Sequence, residues 1–412
     1  MNLASISPRT ICDITQFYGI TTGGIKTYID EKRRFIQNET PWRHILIAPG
    51  KQDRAIHDGR LSYYKVAAPP LPCCPAYRFI TNHSKVLAII ERERPDLIEV
   101  GSWYMLPWVA LRFRKQHGTP IVAFYHTDFP RAYLEKPLKD RRLGTLASAA
   151  RRLGESYVRL LSRRFNAVVA ASNSVARRLQ SMGVHNVEIV PLGVDVEIFN
   201  PSKRSQDVRE RLGIASGEAL LIYVGRLDRE KRVSVLISAF NLIKDCWPGR
   251  FLIVGDGPSK IEAINATKVN PRLIYQPYST NRDELAALLA SADIYVTAGP
   301  DETFGLSIAE AQASGLAVVG VAAGALIDRV PEGAGLLGAV DSPEELAINL
   351  LRCLSLKSYR SMGAFARKVA ADNLSWKKTF TTIISLYEKC IAEEQRRAED
   401  PLYRCTDEIA IP

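Results

Sequence analysis

Short apolar runs recur along the chain, and each is followed by a longer stretch with apolar positions at helical spacing. In the first half the runs lie at 10–18 (TICDITQFY), 44–48 (HILIA), 96–100 (DLIEV), 120–125 (PIVAFY), 165–171 (FNAVVAA) and 187–190 (VEIV). Helices are predicted from near Lys26, over 85–92 and 106–115, and after Ser172-Asn173-Ser174, a cluster suited to an N-cap. The second half restarts the rhythm at 219–224 (ALLIYV), 251–254 (FLIV), 272–275 (RLIY), 292–298 (ADIYVTA) and 317–321 (AVVGV), with helices over 233–243, 307–314 and 375–394. Strands that alternate with helices predict parallel sheets covered on both faces. The expected fold is therefore α/β, with two doubly wound Rossmann-like domains, 1–195 and 196–374. A helix at 375–394 is expected to pack back toward the first domain, followed by a loose polar tail at 395–412. Pro191, Gly193, Pro201 and the polar run 202–217 mark the boundary.

Composition narrows the class. A length of 412 residues fits two domains, and 46% hydrophobic with 24% charged residues describes a globular chain. No apolar run approaches the roughly 18 residues that span a bilayer. Residues 1–9 lack a basic segment followed by an apolar core, so no signal peptide and a cytoplasmic location are expected. The seven cysteines are scattered without zinc-ligand spacing and are expected to be reduced thiols. The net charge of +11 is uneven: residues 1–195 hold 29 Lys and Arg against 16 Asp and Glu, and the remainder 26 against 28. A basic half implies an anionic partner, whether nucleic acid, a membrane surface or a phosphorylated substrate. The basic residues are densest over 131–165, where Leu146, Ala149, Ala150, Leu153, Tyr157, Leu160 and Leu161 recur at helical spacing. Such a helix either lies on an anionic membrane or packs its apolar stripe on its own domain with a solvated basic face.

Candidate chemistry sits where strands end, since open α/β sheets bind ligands outside the carboxyl ends of their strands. Gly23-Gly24 lies between the first strand and its helix, where paired glycines let backbone approach a ligand closely, or merely make a tight turn. His126 follows the strand 120–125, with Asp128 placed to bias its protonation; a structural histidine is the other reading. Gly225-Arg226 and Lys231 follow the strand 219–224 and offer two cations to a diphosphate, or form a charged surface turn. After 292–298 comes Asp301-Glu302-Thr303-Phe304-Gly305-Leu306, then a helix carrying Glu310 and stopping at Gly315. Amides at that helix start attract a phosphate. Glu302 and Glu310 beside an anion make sense as acceptors from neutral hydroxyls, or as a capping acid and a solvated acid. Phosphate with many hydroxyls describes a nucleotide sugar. No phosphate-loop, zinc-protease, nucleophile-elbow or nucleic-acid-module signature appears.

Taken in order, Gly23-Gly24, His126, Pro191-Leu192-Gly193-Val194-Asp195, Gly225-Arg226 with Lys231, Gly255-Asp256-Gly257-Pro258 and the Glu302/Glu310 pair resemble the GT-B glycosyltransferases, specifically retaining family 4. The resemblance implies two Rossmann-like domains facing across a cleft, the first for the acceptor and the second for the donor. It implies Glu310 on the ribose and Glu302 on the donor sugar, with the amides of Phe304, Gly305 and Leu306 nearby. Arg226 and Lys231, beside Gly225, are implied to bind the diphosphate, Gly23 and Gly24 to approach its phosphates, and His126 to touch the transferred sugar. It names no enzyme nucleophile, and the leaving diphosphate is implied to take the acceptor's proton. A hexose of mannose or glucose type is expected to pass to a lipid, lipid-linked or polysaccharide acceptor, with neither cofactor nor metal. A non-catalytic protein binding nucleotide sugar or nucleic acid through the basic half is the alternative. The sequence departs from the family pattern at Arg232, at Ile25-Lys26 and at Ala325-Leu326-Ile327-Asp328.

Overall fold

The computed structural model describes residues 6–19, 23–71, 74–215 and 217–399. The chain divides into two compact units, Met1–Val190 with Thr379–Pro412, and Pro191–Lys378.

In the first unit β1 (Thr10–Ile14) leads to α1 (Gly24–Glu39), β2 (Arg43–Gly50), β3 (Arg54–Asp58) and β4 (Leu61–Ala67). A small pair, β5 (Pro70–Leu71) and β6 (Cys74–Arg78), follows. Then come α2 (His83–Glu93), β7 (Leu97–Val100), α3 (Leu106–His117) and β8 (Ile121–Phe124). A π-helical turn (Pro130–Glu135) leads to α4 (Lys136–Asp140), α5 (Gly144–Ser162), β9 (Ala167–Ala170), α6 (Asn173–Ser181) and β10 (Val187–Ile189). The sheet runs β10-β9-β8-β7-β1-β2-β4-β3, parallel except for β3, which pairs antiparallel with β4. Its central strands are buried on both faces, which is why they read as unbroken apolar runs.

Two predicted boundaries move. The first strand stops at Ile14, because the chain then curls: the Gln16 N–H donates to Ser102 Oγ (3.3 Å) and the Phe17 N–H to Thr15 Oγ1 (3.0 Å). Pro49 and Gly50 lie inside β2 rather than ending it; β1 pairs only as far as Ile47, and the edge left open there tolerates a proline.

The second unit contains α7 (Gln206–Arg211), β11 (Leu220–Val224), α8 (Val233–Ile243), β12 (Arg250–Val254), α9 (Lys260–Val269) and β13 (Leu273–Gln276). These lead to α10 (Arg282–Ser291), β14 (Ile294–Val296), α11 (Leu306–Ala313), β15 (Ala317–Val321) and α12 (Leu326–Arg329). It closes with β16 (Gly335–Gly338), α13 (Pro343–Ser355) and α14 (Tyr359–Asn373). Its sheet, β13-β12-β11-β14-β15-β16, is wholly parallel. The last helix, α15 (Trp376–Glu399), continues past the expected end at 394. Residues 395–399 are all good helix formers, and Arg397 pairs with Glu394 one turn back, so no breaker stops it. The remainder of the predicted tail, 400–412, lies outside the described residues.

Each sheet has a point where the strand order reverses, and such a point opens a crevice at the carboxyl ends. In the first unit it lies between β1 and β7, in the second between β11 and β14.

Candidate active site

The second unit's reversal point brings together the residues that follow β11 and β14. Lys231 and Glu302, 71 positions apart, form an ion pair there. Arg226 is half-exposed and pairs within its own turn, with Asp228 and Glu230, both at 2.6 Å. Gly225 is required by close packing, since a Cβ there would stand 2.7 Å from Tyr223 Oη. The Tyr295 hydroxyl donates to the Val224 carbonyl and lies beside Ser307 Oγ, both at 2.9 Å, tying the end of β11 to the start of α11. Gly305, at φ 78°, makes the left-handed turn into that helix, directly after the buried Phe304 and before Leu306. Glu310 lies one turn on, half-buried; burial pushes its pKa up to about 7, against the pull of Arg282.

The first unit arranges its reversal point differently. Gly23 (φ 54°) precedes α1 and Gly24 opens it, and a Cβ on either would meet nothing within 4 Å among the described residues. Residues 20–22 of that loop lie outside the described residues. His126 stacks on Phe124 (4.1 Å, 4° between planes) and meets the Tyr28 ring edge-on at 5.3 Å. Burial of the ring and the Lys32 charge push its pKa down to about 3, with Asp13 opposing. Asp128 is not what sets this protonation, contrary to expectation: its carboxylate is held by Arg178 (2.9 Å) and the Tyr125 hydroxyl (3.2 Å). Beside His126 a small cavity is walled by Phe17, Tyr104, Phe129 and Tyr133. Phe17 and Tyr133 lie parallel at 5.9 Å, and Tyr104 meets both edge-on.

Behind that crevice lies a buried ionic set. Lys32 Nζ is 2.7 Å from Asp13 and 2.8 Å from Glu99, and all three side chains are nearly inaccessible. Tyr28 and Tyr387 donate to Glu99, and His44 stands 3.1 Å from Asp13. Burial alone would raise the Asp13 pKa, but Lys32 and His44 together hold it at about 2.

Two family models match the chain: "Glycosyltransferase Family 4" over residues 22–198 and "Glycosyl transferases group 1" over 218–355. The chain is a GT-B glycosyltransferase of family 4. Among its relatives is a GDP-mannose-dependent α-(1-6)-phosphatidylinositol dimannoside mannosyltransferase of Mycobacterium tuberculosis, 26% identical over 91% of this chain and 95% of that one. A GDP-mannose-dependent α-mannosyltransferase of Corynebacterium glutamicum is 28% identical over 85% and 82%. The fold matches that of sucrose-phosphate synthase from Thermosynechococcus elongatus, with a TM-score of 0.76 at 20% identity, over 93% of this chain and all of that one. It also matches Anabaena HepE in complex with UDP, with a TM-score of 0.70 at 18% identity, over 92% and 100%. Family membership favours the enzyme over the non-catalytic alternative.

Within this glycosyltransferase, then, Gly225, Arg226, Lys231, Glu302, Phe304, Gly305, Leu306 and Glu310 all belong to the second unit, and Gly23, Gly24 and His126 to the first. Sequence reasoning missed the aromatic wall of Phe17, Tyr104, Phe129 and Tyr133, because these rings come from three separate stretches of chain, two loops and the π-helical turn, with no shared spacing. It also missed Arg282 and Tyr295. Both precede the motif they support, and only the packing of α10 and β14 shows what they do.

Proposed function

We propose that this enzyme transfers a hexose, mannose or glucose, from a nucleoside diphosphate sugar to a hydroxyl of a lipid, lipid-linked or polysaccharide acceptor, with retention of anomeric configuration. The Lys231–Glu302 pair carries this reading. A diphosphate arriving at Lys231 competes with Glu302, and the carboxylate it releases is free to accept hydrogen bonds from the donor sugar. Arg226 lies on the same turn and exchanges Asp228 and Glu230 for phosphate oxygens. Both cations then neutralise the charge that grows on the diphosphate as the glycosidic bond lengthens. The amides of Phe304, Gly305 and Leu306 lie at the start of α11, where the first N–H groups of a helix have no intrahelical acceptor. Glu310 accepts from the ribose hydroxyls, and Gly23 and Gly24 contribute backbone close to the phosphates. His126, neutral at working pH, hydrogen-bonds a hydroxyl of the transferred sugar. No side chain is assigned as nucleophile. The acceptor oxygen bonds to the anomeric carbon on the face the diphosphate leaves, and the departing diphosphate takes its proton. The scheme draws its positive charge from Arg226 and Lys231 and calls for no metal or cofactor. The acceptor is placed along the aromatic wall beside His126, where Phe17, Tyr104, Phe129 and Tyr133 offer ring surface rather than a deep cavity.

The test is a panel of GDP-, UDP- and ADP-sugars, with GDP-mannose first because the relatives named above use it. A ligand bound only by the native state raises its melting temperature. One nucleotide is expected to protect the enzyme and to lose that effect in Glu310→Ala. Protection by none, or unchanged turnover in Glu310→Ala, overturns the reading.

A second observation supports an anionic membrane surface as a partner of 131–165. In α5 it is Ala147, Gly154, Val158 and Leu161 that face inward. Leu146, Leu153 and Leu160 face solvent, Leu153 at 72% exposure, in line with the exposed Leu143. Arg152, Arg159 and Arg163 are exposed along the same helix end. Of the expected stripe, Leu161 is buried and Tyr157 packs against the core, but Leu146, Leu153 and Leu160 are left outside it, and their basic borders complement anionic headgroups. No helix among the described residues is long and apolar enough to cross a membrane. The enzyme would sit peripherally on the cytoplasmic face. Co-sedimentation with phosphatidylglycerol vesicles should exceed that with phosphatidylcholine and fall in Leu146→Asp/Leu153→Asp; equal recovery with both lipids overturns it.

A further inference from the structure

Behind the second unit's loop stands a cation that this chemistry does not use. Arg329, the last residue of α12, is only 7% exposed, and its guanidinium lies 4.3 Å from the centre of the Phe304 ring. Among the described residues no carboxylate pairs with it, and its buried Nε has no hydrogen-bond acceptor. Burial pulls its pKa down to about 10, partly offset by Asp328, so it stays charged at neutral pH. A charge withdrawn from water without a partner lowers stability, and a neutral side chain of similar volume relieves that cost. Arg329 is nonetheless held firmly in place. Its carbonyl accepts from Gln312 Nε2 at 2.6 Å, and at the start of α12 the Ala325 N–H donates to the Glu302 carbonyl at 2.8 Å. Gly324, at φ 55°, packs so closely that a Cβ would come within 2.7 Å of the carbonyl oxygens of both Pro300 and Glu302. The helix that carries the cation is therefore fastened to the loop that carries Phe304.

We propose that Arg329 is a positioning residue for the donor. It clamps Phe304 through its flat face, fixes the amides of Gly305 and Leu306 behind that ring, and keeps a fixed positive charge in the buried wall beside the diphosphate. A cation over an aromatic face is attracted by the ring, most strongly when both are desolvated. A preorganised charge in a water-poor wall acts on a developing anion with little screening. This inference rests on the reading that the loop 302–310 binds the donor.

The test uses the full chain and the nucleoside diphosphate that protects the unsubstituted enzyme. Arg329→Met is expected to raise the Kd for that nucleotide and the donor KM about tenfold, to leave the acceptor KM unchanged, and not to lower the ligand-free melting temperature. Arg329→Lys keeps the charge but not the flat contact, and is expected to fall between the two. A residue that merely plugs the core would show the reverse: a lower melting temperature with an unchanged nucleotide Kd, which overturns the proposal. Where Arg329→Met does not fold, a wild-type nucleotide Kd in Arg329→Lys overturns it equally. If the unsubstituted enzyme binds no UDP, GDP or ADP, the donor reading fails and the inference with it, an outcome distinct from failure of Arg329 alone.

Discussion

The two reversal points are built on the same strand topology and use charge in opposite ways. In the first unit Lys32, Asp13 and Glu99 are at most 4% exposed, and their partners are one another, the buried tyrosines Tyr28 and Tyr387, and the buried His44. The surface that unit presents beside His126 is aromatic. In the second unit the ion pairs of the site reach the surface, with Arg329 alone of the charges discussed above set in the wall behind them: the Arg226 side chain is 52% exposed, and Lys231 and Glu302 are 16% and 17%. Buried charges of the first kind define a fold and are costly to disturb. The half-exposed Arg226 makes pairs that are weak and exchangeable, and the Lys231–Glu302 pair, though mostly covered, still reaches the surface, unlike the set around Lys32. Burial, more than residue type, decides which ion pairs are scaffold and which are available to a substrate.

The largest effect should come from breaking the scaffold. Lys32→Met strands two carboxylates away from water and is expected to cost about 3–5 kcal/mol, read from urea denaturation. If that midpoint hardly moves, the contrast drawn above fails. Lys231→Ala should do the opposite, leaving the urea midpoint nearly unchanged while kcat falls about 10²–10³-fold. Next comes pH. Glu310 must be ionised to accept from hydroxyls, and its pKa lies near 7, so nucleotide affinity should weaken about tenfold per pH unit below 7, with Glu310→Gln weak and flat. Stability carries the opposite sign. The carboxyl ionises near 4.5 when unfolded and near 7 when folded, so its contribution is full at low pH and is lost as pH rises through that window. His126 should contribute no titration between pH 5 and 8, because burial holds it near 3. The smallest effect tests the aromatic wall. Tyr133→Ala should raise the acceptor KM severalfold, in line with about 0.5–1.5 kcal/mol for an aromatic contact, without changing nucleotide affinity in a thermal-shift titration.

Much of the second unit's site could be read from sequence, because each motif directly follows its strand and the local order of strand, turn and helix is enough to find it. What could not be read is which motifs meet. Lys231 reaches Glu302 only because β11 lies beside β14, a pairing no local pattern encodes. The charged cluster of the first unit draws on residues from position 13 to position 387, each unremarkable alone. The apolar positions on α5 were recognised, but the periodicity of a single helix cannot say which of two adjacent stripes turns inward. The hairpin of β3 and β4 was missed because β3 is exposed along its whole length and carries no apolar alternation.

The first unit is not one piece of chain. Its sheet is finished by Val190, yet Tyr387, which donates to Glu99 and lies 3.3 Å from Lys32 Nζ, comes nearly two hundred residues later on α15. On the same helix Phe380 packs against Tyr28 and Phe35. A ribosome therefore delivers the oldest part of this protein without its seal. The residues 191–378 are uninterrupted and emerge complete while the beginning still waits. What is made first is completed last. A chain released early, or cut within α15, is damaged at the end of the sequence farthest from the break.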